Sequence, residues 1–321
     1  VDAESSARLL GAIASAARES LDALPPSVRA GEAMPLPAEH VHDLVMAWVE
    51  RTPEATAVVG AGGARLSYAQ VGADARAMCA WLASHGAAPC AVVALLLEHR
   101  SEWAVAQIAI SMSGAALLGL ETYFGPAMLR DVLDTSLPCA AIVSSATSAR
   151  LAPTGVPLLD VDADWRALCR AAGAAAPPPR AAPFDVGTLT MTSGTTGKPK
   201  TIAVSHAAYA IAIRARAALF PYGEREVEAC NVMFVWEALR PLCYGHVLHV
   251  VSDAEIVDVV ALVASLEAAS VTRTLTTPSL LAAVVEAEMS AELDARAGPA
   301  RSPAAPPLAE RLRALRLWTL C

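Results

Sequence analysis

Apolar positions recur along the chain with two alternating periods. From His40 onward they fall first at helical spacing (41–50), then in a short β-rich run (55–59), a Gly-rich turn (60–63) and a second short run (65–68). A long amphipathic helix follows to His85, where Gly86 stops it as a C-terminal glycine does. After it, short apolar runs (92–97, 115–120, 140–144, 156–161) alternate with helical stretches opening at Ser101 and Pro126. The alternation resumes with a helix from His206, a strand near 228–233, a helix from Trp236 and a strand at 246–251. A helix from Glu255, a strand at 272–275 and a helix from Pro278 complete it. This order predicts an α/β protein with a parallel or mixed sheet flanked by helices.

Two stretches break the pattern. Residues 171–183 (AAGAAAPPPRAAP) and the Pro/Ala-rich 297–308 lack periodicity and read as linkers. Residues 1–39, helix-like over 7–21 and then rich in Pro, Gly and Ala, read as a leader or linker, and 40–321 as the folded domain. The chain opens at Val1 without an initiator methionine and stops at Cys321 directly after the run 315–320, which reads as a buried strand; on this reading it is a fragment. No fixed-period repeat occurs.

Composition narrows the function classes. At roughly 150 residues per domain, 321 residues make about two domains' worth of chain, and 55% hydrophobic against 17% charged residues predicts folding rather than disorder. Lys plus Arg number 24 against 32 Asp plus Glu, a net charge of −8, so no general basic field would collect nucleic acid. Mean hydropathy is +0.43, yet the most apolar neighbourhood, 91–120, is cut by Glu98, His99, Arg100, Ser101 and Glu102 and then by Gln107, Ser111 and Ser113. No membrane span is expected, since one needs about 20 nearly uninterrupted apolar residues. The 7 cysteines are scattered without a C-x-x-C pair, which points to reduced thiols in a cytoplasmic compartment and to no side-chain metal cluster.

The informative segment is 188–206, TLTMTSGTTGKPKTIAVSH. A β-rich run leads into Thr192, Ser193, Gly194, Thr195, Thr196 and Gly197, then Lys198, Pro199 and Lys200, and a second β-rich run leads out. Glycines let backbone N–H groups turn toward one point, hydroxyls add donors and lysines add charge, so the loop is an anion cradle suited to polyphosphate. A plain turn between strands remains the competing reading, although an ordinary hairpin uses only two to five turn residues. The Walker pattern does not fit, because Thr192 stands where its first glycine would be and Pro199 follows Lys198.

TSGTTGKPK resembles the phosphate-binding signature of the adenylate-forming superfamily, which includes acyl-CoA synthetases, luciferases and nonribosomal peptide synthetase adenylation domains. Other segments follow in the family's order: RTPEATAVV with LSYAQV (51–59, 66–71), and more weakly Ser113, Gly114 and Ala115 with Pro126, Leu129 and Arg130. FVWEALRPLCYGHVLHVV (234–251), VTRTLTTPSLL (271–281) and LRALRLWTLC come after them. The resemblance covers about 40–321. It implies two α/β lobes of the large N-terminal domain, one from 89–216 and the other from 40–88 with 219–321. It also implies activation of a carboxylic acid by ATP and Mg²⁺ as an acyl-adenylate, then transfer to a thiol of CoA or of a carrier-protein phosphopantetheine. Thr192 to Gly197 would embrace the β and γ phosphates, with Mg²⁺ near Thr195 or Thr196 through ATP, and Lys198 and Lys200 would supply charge. The family's ribose aspartate, Mg²⁺-binding glutamate, hinge and C-terminal lid with its catalytic lysine fall beyond Cys321, so no catalytic residue is assigned and the fragment alone is expected to be inactive. The alternative is a catalytically inactive nucleotide-binding or scaffolding homologue.

The resemblance also implies a substrate wall at Val232, Met233 and Trp236, with Leu275 beside them. Val232 stands where α-amino-acid-activating domains carry an aspartate for the substrate ammonium, and a buried ammonium needs a counter-charge. A small carboxylic acid without an α-ammonium is therefore expected, with plain core packing as the competing reading of these side chains. Thr201 stands where the family has glycine, which implies a less tightly turned exit strand. His206 is read as first-turn helix chemistry behind a Ser205 cap, His246 and His249 as packed or surface-exposed side chains rather than a metal site, and 98–100 as a solvated turn.

Overall fold

A computed structural model describes residues 39–163, 165–171, 179–192, 200–231, 235–296 and 306–320. The chain divides into two units, Val1–Leu36 and Pro37–Cys321; residues 1–38, within the stretch read as a leader or linker, lie outside the described residues, and the elements below all belong to the second unit.

In chain order the elements are α1 (Val41–Arg51), β1 (Thr56–Val59), β2 (Arg65–Ser67), α2 (Tyr68–Ser84), β3 (Val92–Leu96), α3 (Ser101–Ser113), β4 (Ala116–Gly119), α4 (Pro126–Ser136), β5 (Ala140–Val143), α5 (Ser145–Leu151), β6 (Leu158–Asp160) and α6 (Trp165–Ala171). They continue with β7 (Val186–Thr192), β8 (Lys200–Ser205), α7 (His206–Leu219), β9 (Val227–Cys230), α8 (Val235–Ala238), α9 (Arg240–Cys243), β10 (Val247–Val250), α10 (Asp253–Val257), α11 (Val259–Ala268), β11 (Arg273–Thr276), α12 (Pro278–Arg296), α13 (Leu308–Arg311) and β12 (Leu317–Leu320).

Two six-stranded sheets result, ordered β12-β11-β9-β10-β1-β2 and β6-β5-β3-β4-β7-β8. Each is parallel except for one antiparallel edge strand, β2 in the first and β8 in the second. The first sheet takes its strands from both ends of the described chain and the second from the middle, so the expected two-lobed α/β partition is the one observed. Parallel strands are buried on both faces, and β3 shows how: Val93 and Leu95 enter the core between the sheets, while Ala94 and Leu96 enter the one under α4 and α5. Helix α3 carries buried residues all round, from Trp103 through Ile110 to Ser113, as a helix between two layers must. Helices α11 and α12 cover the far face of the first sheet, around Ala229 and Val251. The layers therefore run helix, sheet, helix, sheet, helix.

One close approach depends on a missing side chain. Gly245 has φ +78°, and a Cβ there would lie 2.5 Å from the Trp48 ring. Trp48 lies against this turn and donates Nε1–H to the Cys243 carbonyl at 3.0 Å, fastening α1 to the end of α9.

Several expectations change. Residues 98–100 are half-buried rather than a solvated turn: Ser144 Oγ donates to Glu98 at 3.0 Å, His99 Nδ1 lies 2.7 Å from Asp253, and Arg100 pairs with Glu102 and Asp162. The run 315–320 forms the half-buried edge strand β12 rather than a buried one. The helix placed at Glu255 starts at Asp253 and gives way to a second, because Asp258 accepts from the N–H groups of Val260 and Ala261 and caps it anew. Within the linkers, 172–178 and 297–305 lie outside the described residues, whereas Leu308 opens α13. Helices α5 and α6 have no counterpart in the sequence reading.

Candidate nucleotide and acyl site

The phosphate-loop segment sits on a hairpin. Strand β7 alternates Val186, Thr188, Thr190 and Thr192 with Gly187, Leu189 and Met191, a β-rich period-2 pattern, and pairs with β8 from Val186↔Ser205 to Thr192↔Lys200. Thr192 and Lys200 thus face each other as Cα partners at the hairpin's open end. Ser193, Gly194, Thr195, Thr196, Gly197 and Lys198 lie outside the described residues, and Thr192 and Lys200 are placed by their backbones alone. Thr201 pairs regularly with Met191, and the register shift of this hairpin falls at its other end, between Val186 and Thr188.

Because β7 runs parallel to β4, and β4 to β3, the loop emerges at the carboxyl ends of the parallel strands. In open α/β sheets that edge is where ligands bind, since strand ends and helix N-termini converge there. The same edge carries Glu98 and His99 after β3 and Ser144 after β5. Ser144 caps α5 by accepting from Thr147 N–H, and Thr147 in turn donates to the Leu96 carbonyl at 2.7 Å. Asp253 after β10 belongs to the carboxyl edge of the other sheet, so its approach to His99 brings the two edges together. Burial holds the His99 imidazole below its ordinary pKa, with Asp253 opposing the shift.

The acyl-wall segment leaves β9 at the same edge of the first sheet. Val232 and Met233 lie outside the described residues, and Trp236 is placed by its backbone within α8. Leu275 is buried on β11 and is the Cα partner of Cys230, two positions before Val232. Asn231, between them in sequence, is buried, and its Oδ1 has no hydrogen-bond partner among the described residues.

Behind this segment lies an ion network that the sequence reading missed. Arg240 pairs with Glu228 on β9 through one guanidinium nitrogen and with Glu237 on α8 at 2.6 Å through the other. The Tyr222 hydroxyl donates to Glu228, and the Arg273 guanidinium lies over the Tyr222 ring at 4.3 Å. Burial raises the Glu237 carboxyl above its ordinary pKa, Arg240 and Arg216 opposing the shift. The available signal was a Glu and an Arg three positions apart in an otherwise apolar run, a helical ion-pair spacing in a place where charge is rarely buried unpaired.

The histidines follow the bland readings. Ser205 Oγ accepts from Ala208 N–H at 3.2 Å and caps α7. His206 stacks on His40 at 4.6 Å and sits at the base of the hairpin, about 20 Å of strand from the loop at 3.3 Å per residue. His249 meets Ser265 at 2.9 Å and His246 stacks on Tyr222 at 4.5 Å, both as packed core residues. Among the described residues no group of three His, Cys, Asp or Glu side chains could hold a metal, and no helix is long and apolar enough to cross a membrane.

Comparison with known proteins places this geometry. The family described as AMP-binding enzyme matches residues 45–319. Glycine betaine reductase ATRR of Emericella nidulans is 31% identical over 227 residues, 68% of this chain and 17% of that protein. Isonitrile lipopeptide synthase of Mycobacterium tuberculosis is 34% identical over 167 residues, 52% of this chain and 6% of that protein. The AMPPNP-bound crystal structure of the nonribosomal peptide synthetase FmoA3 superposes with a TM-score of 0.74 at 23% identity, over 89% of this chain and 29% of that one. The chain thus spans less than a fifth of either curated relative.

Proposed function

The chain belongs to the AMP-binding enzyme family, and from that premise we propose that it forms the nucleotide- and acid-binding part of an enzyme that activates a carboxylic acid with ATP as an acyl-adenylate. The observation that carries the proposal is TSGTTGKPK at the open end of a hairpin on the carboxyl edge of a parallel sheet, inside the matched span. A carboxylate that attacks the α-phosphate expels pyrophosphate, and negative charge crowds around the transferring phosphorus. Preorganised donors and cations at that point are the main catalytic resource. Thr192 to Gly197 supply backbone N–H and hydroxyl donors for the β and γ phosphates, and Lys198 and Lys200 supply charge. Thr195 or Thr196 would lie near a Mg²⁺ carried by ATP, and that ion would supply charge neutralisation for the pyrophosphate leaving group.

The acceptor is a thiol of CoA or of carrier-protein phosphopantetheine; the peptide synthetases among the relatives favour the carrier protein. The domain runs from about residue 40, with 1–39 as a leader or linker. The acid lacks an α-ammonium, because Val232 offers no carboxylate on a wall continued by Met233, Trp236 and the buried Leu275.

The test is acid-dependent ATP–pyrophosphate exchange in the full-length protein containing this chain. The acid panel includes hydroxy, keto, aryl and α-amino acids, and glycine betaine because one relative bears that compound in its name. Exchange is expected with an acid that lacks an α-ammonium, and Lys198→Ala or Thr195→Ala should slow it by an order of magnitude or more, in line with about 2 to 4 kcal/mol for one transition-state donor. No exchange with any acid, alongside nucleotide binding, would establish the inactive homologue instead.

A further inference from the structure

We propose that the buried Glu228–Arg240–Glu237 triad is a positioning device for the acyl pocket, a staple that fixes α8 and its junction with α9 against β9. The inference rests on the adenylation reading above for what α8 contacts, and on geometry for the rest. Glu228, on β9, precedes α8 and Arg240, opening α9, follows it, so the ion pair joins the two ends of one excursion of the chain. Glu237 ties its middle to the same guanidinium. The three residues are 4%, 6% and 6% exposed, which removes the water that would otherwise compete for each partner. The guanidinium is planar with donors in a fixed fork, and holding two carboxylates on different elements fixes direction as well as distance. Tyr222 extends the network: Arg240 Nε donates to its hydroxyl at 3.3 Å, and its ring lies beneath Arg273, which is two residues from Leu275 on β11. Helix α8, which carries Trp236, and strand β11, which carries Leu275, are therefore keyed to one cluster.

A buried ion pair is a weak source of stability, because desolvation offsets much of the Coulomb gain, and neutral replacements of similar volume are often tolerated. The triad's contribution therefore belongs to placement. The critical variant is Glu228→Gln, Glu237→Gln and Arg240→Met together, which removes all three charges and leaves none buried alone; Arg240→Lys, which keeps the charge and loses the fork, is its companion. In the full-length protein the triple variant should raise the KM for the preferred acid at least tenfold in pyrophosphate exchange, with the KM for ATP within twofold. Arg240→Lys should fall between it and the parent. Amide hydrogen exchange in 235–239 should accelerate at least tenfold while β1 and β10 keep their protection, and this second measurement needs no catalysis. If the parent exchanges pyrophosphate with no acid, the adenylation reading fails, and hydrogen exchange alone then decides the staple. Unchanged protection in 235–239, or acid and ATP KM values that move together, would overturn it.

Discussion

Acidification should unfold this protein through the cluster at the base of the phosphate-loop hairpin, well before its carboxylates titrate. His40, His42 and Asp43 at the start of α1 meet Ser111 and Gly114 at the end of α3, Arg180 and Asp185 before β7, and His206 at the start of α7. His42 Nδ1 lies 2.8 Å from Ser111 Oγ, and the bidentate Arg180–Asp43 pair closes the solvent side. Burial is the largest cause that lowers both His42 and His206 from 6.5 to about 4, with the neighbouring imidazoles and Arg180 adding to it and Asp43 or Asp185 opposing it. The folded state thus resists a proton that the unfolded state accepts. Stability is complete above pH 6.5 and is lost as pH falls through 6.5 toward 4, by about 3 kcal/mol for each group at 1.36 kcal/mol per unit. The two titrate as neighbours, so their joint effect is a property of the cluster. A typical fold holds only about 5 to 15 kcal/mol, and the loss is a large share of it. Glu237, raised by burial, works in the opposite direction over part of the range. Urea midpoints at pH 7.5, 6.5, 5.5 and 4.5 should fall steadily below 6.5, and His206→Gln should flatten the slope by about 1.4 kcal/mol per pH unit. A slope equal in parent and variant between pH 6.5 and 4.5 would refute the reasoning.

Two further outcomes can be checked. Gly245→Ala puts a Cβ 2.5 Å from the Trp48 ring at φ +78° and should destabilise by at least about 2 kcal/mol, lowering Tm by several degrees; a change below 1 °C would contradict the packing. Thiol labelling at pH 7.5 under native conditions should modify the exposed Cys90 and spare the buried Cys79 and Cys169, whose thiols burial pushes up to about 11; mass spectrometry that finds those two modified at the rate of Cys90 would contradict their burial.

What the sequence disclosed followed its local periods. The hairpin is written in the β-rich run 188–192 and its mirror after Lys200, the helix starts at Ser101, Pro126, His206 and Pro278 are observed where caps and prolines place them, and strand ends differ by a residue or two because a pairing partner decides them. Short helices such as α5 and α6, each 7 residues long, hold too few turns for a period to show. Long-range contacts left no trace. His42 and His206 are far apart in sequence, and nothing local in either segment signals that burial will depress both. The Arg240–Glu237 pair was readable from its spacing, but its third member is fixed by the return of the chain from α9 to β9. The half-burial of 98–100 depends on Asp253 arriving from the other sheet.

Placement along a single hairpin then separates two tasks. At its base Thr188 is fully buried, the His206 N–H donates to the Asp185 carbonyl at 3.1 Å, and Gly187 leaves room for the His206 ring, whose Nδ1 would lie 2.9 Å from a Cβ there. Beyond the open end, about 20 Å away along the strands, the sequence continues with the glycines, hydroxyls and lysines of the proposed phosphate loop, a composition that contributes little to a core and suits an anion. The ladder is continuous from Thr188 to Thr192, so the segment between β7 and β8 departs from a stem whose own order is set elsewhere. The packed base, with its stacked imidazoles and the Arg180–Asp43 pair, and the polar segment beyond the strands are therefore separate parts of one hairpin. On the proposed reading, that division lets one short polar segment bind phosphate in a chain in which hydrophobic residues are 55% of the sequence.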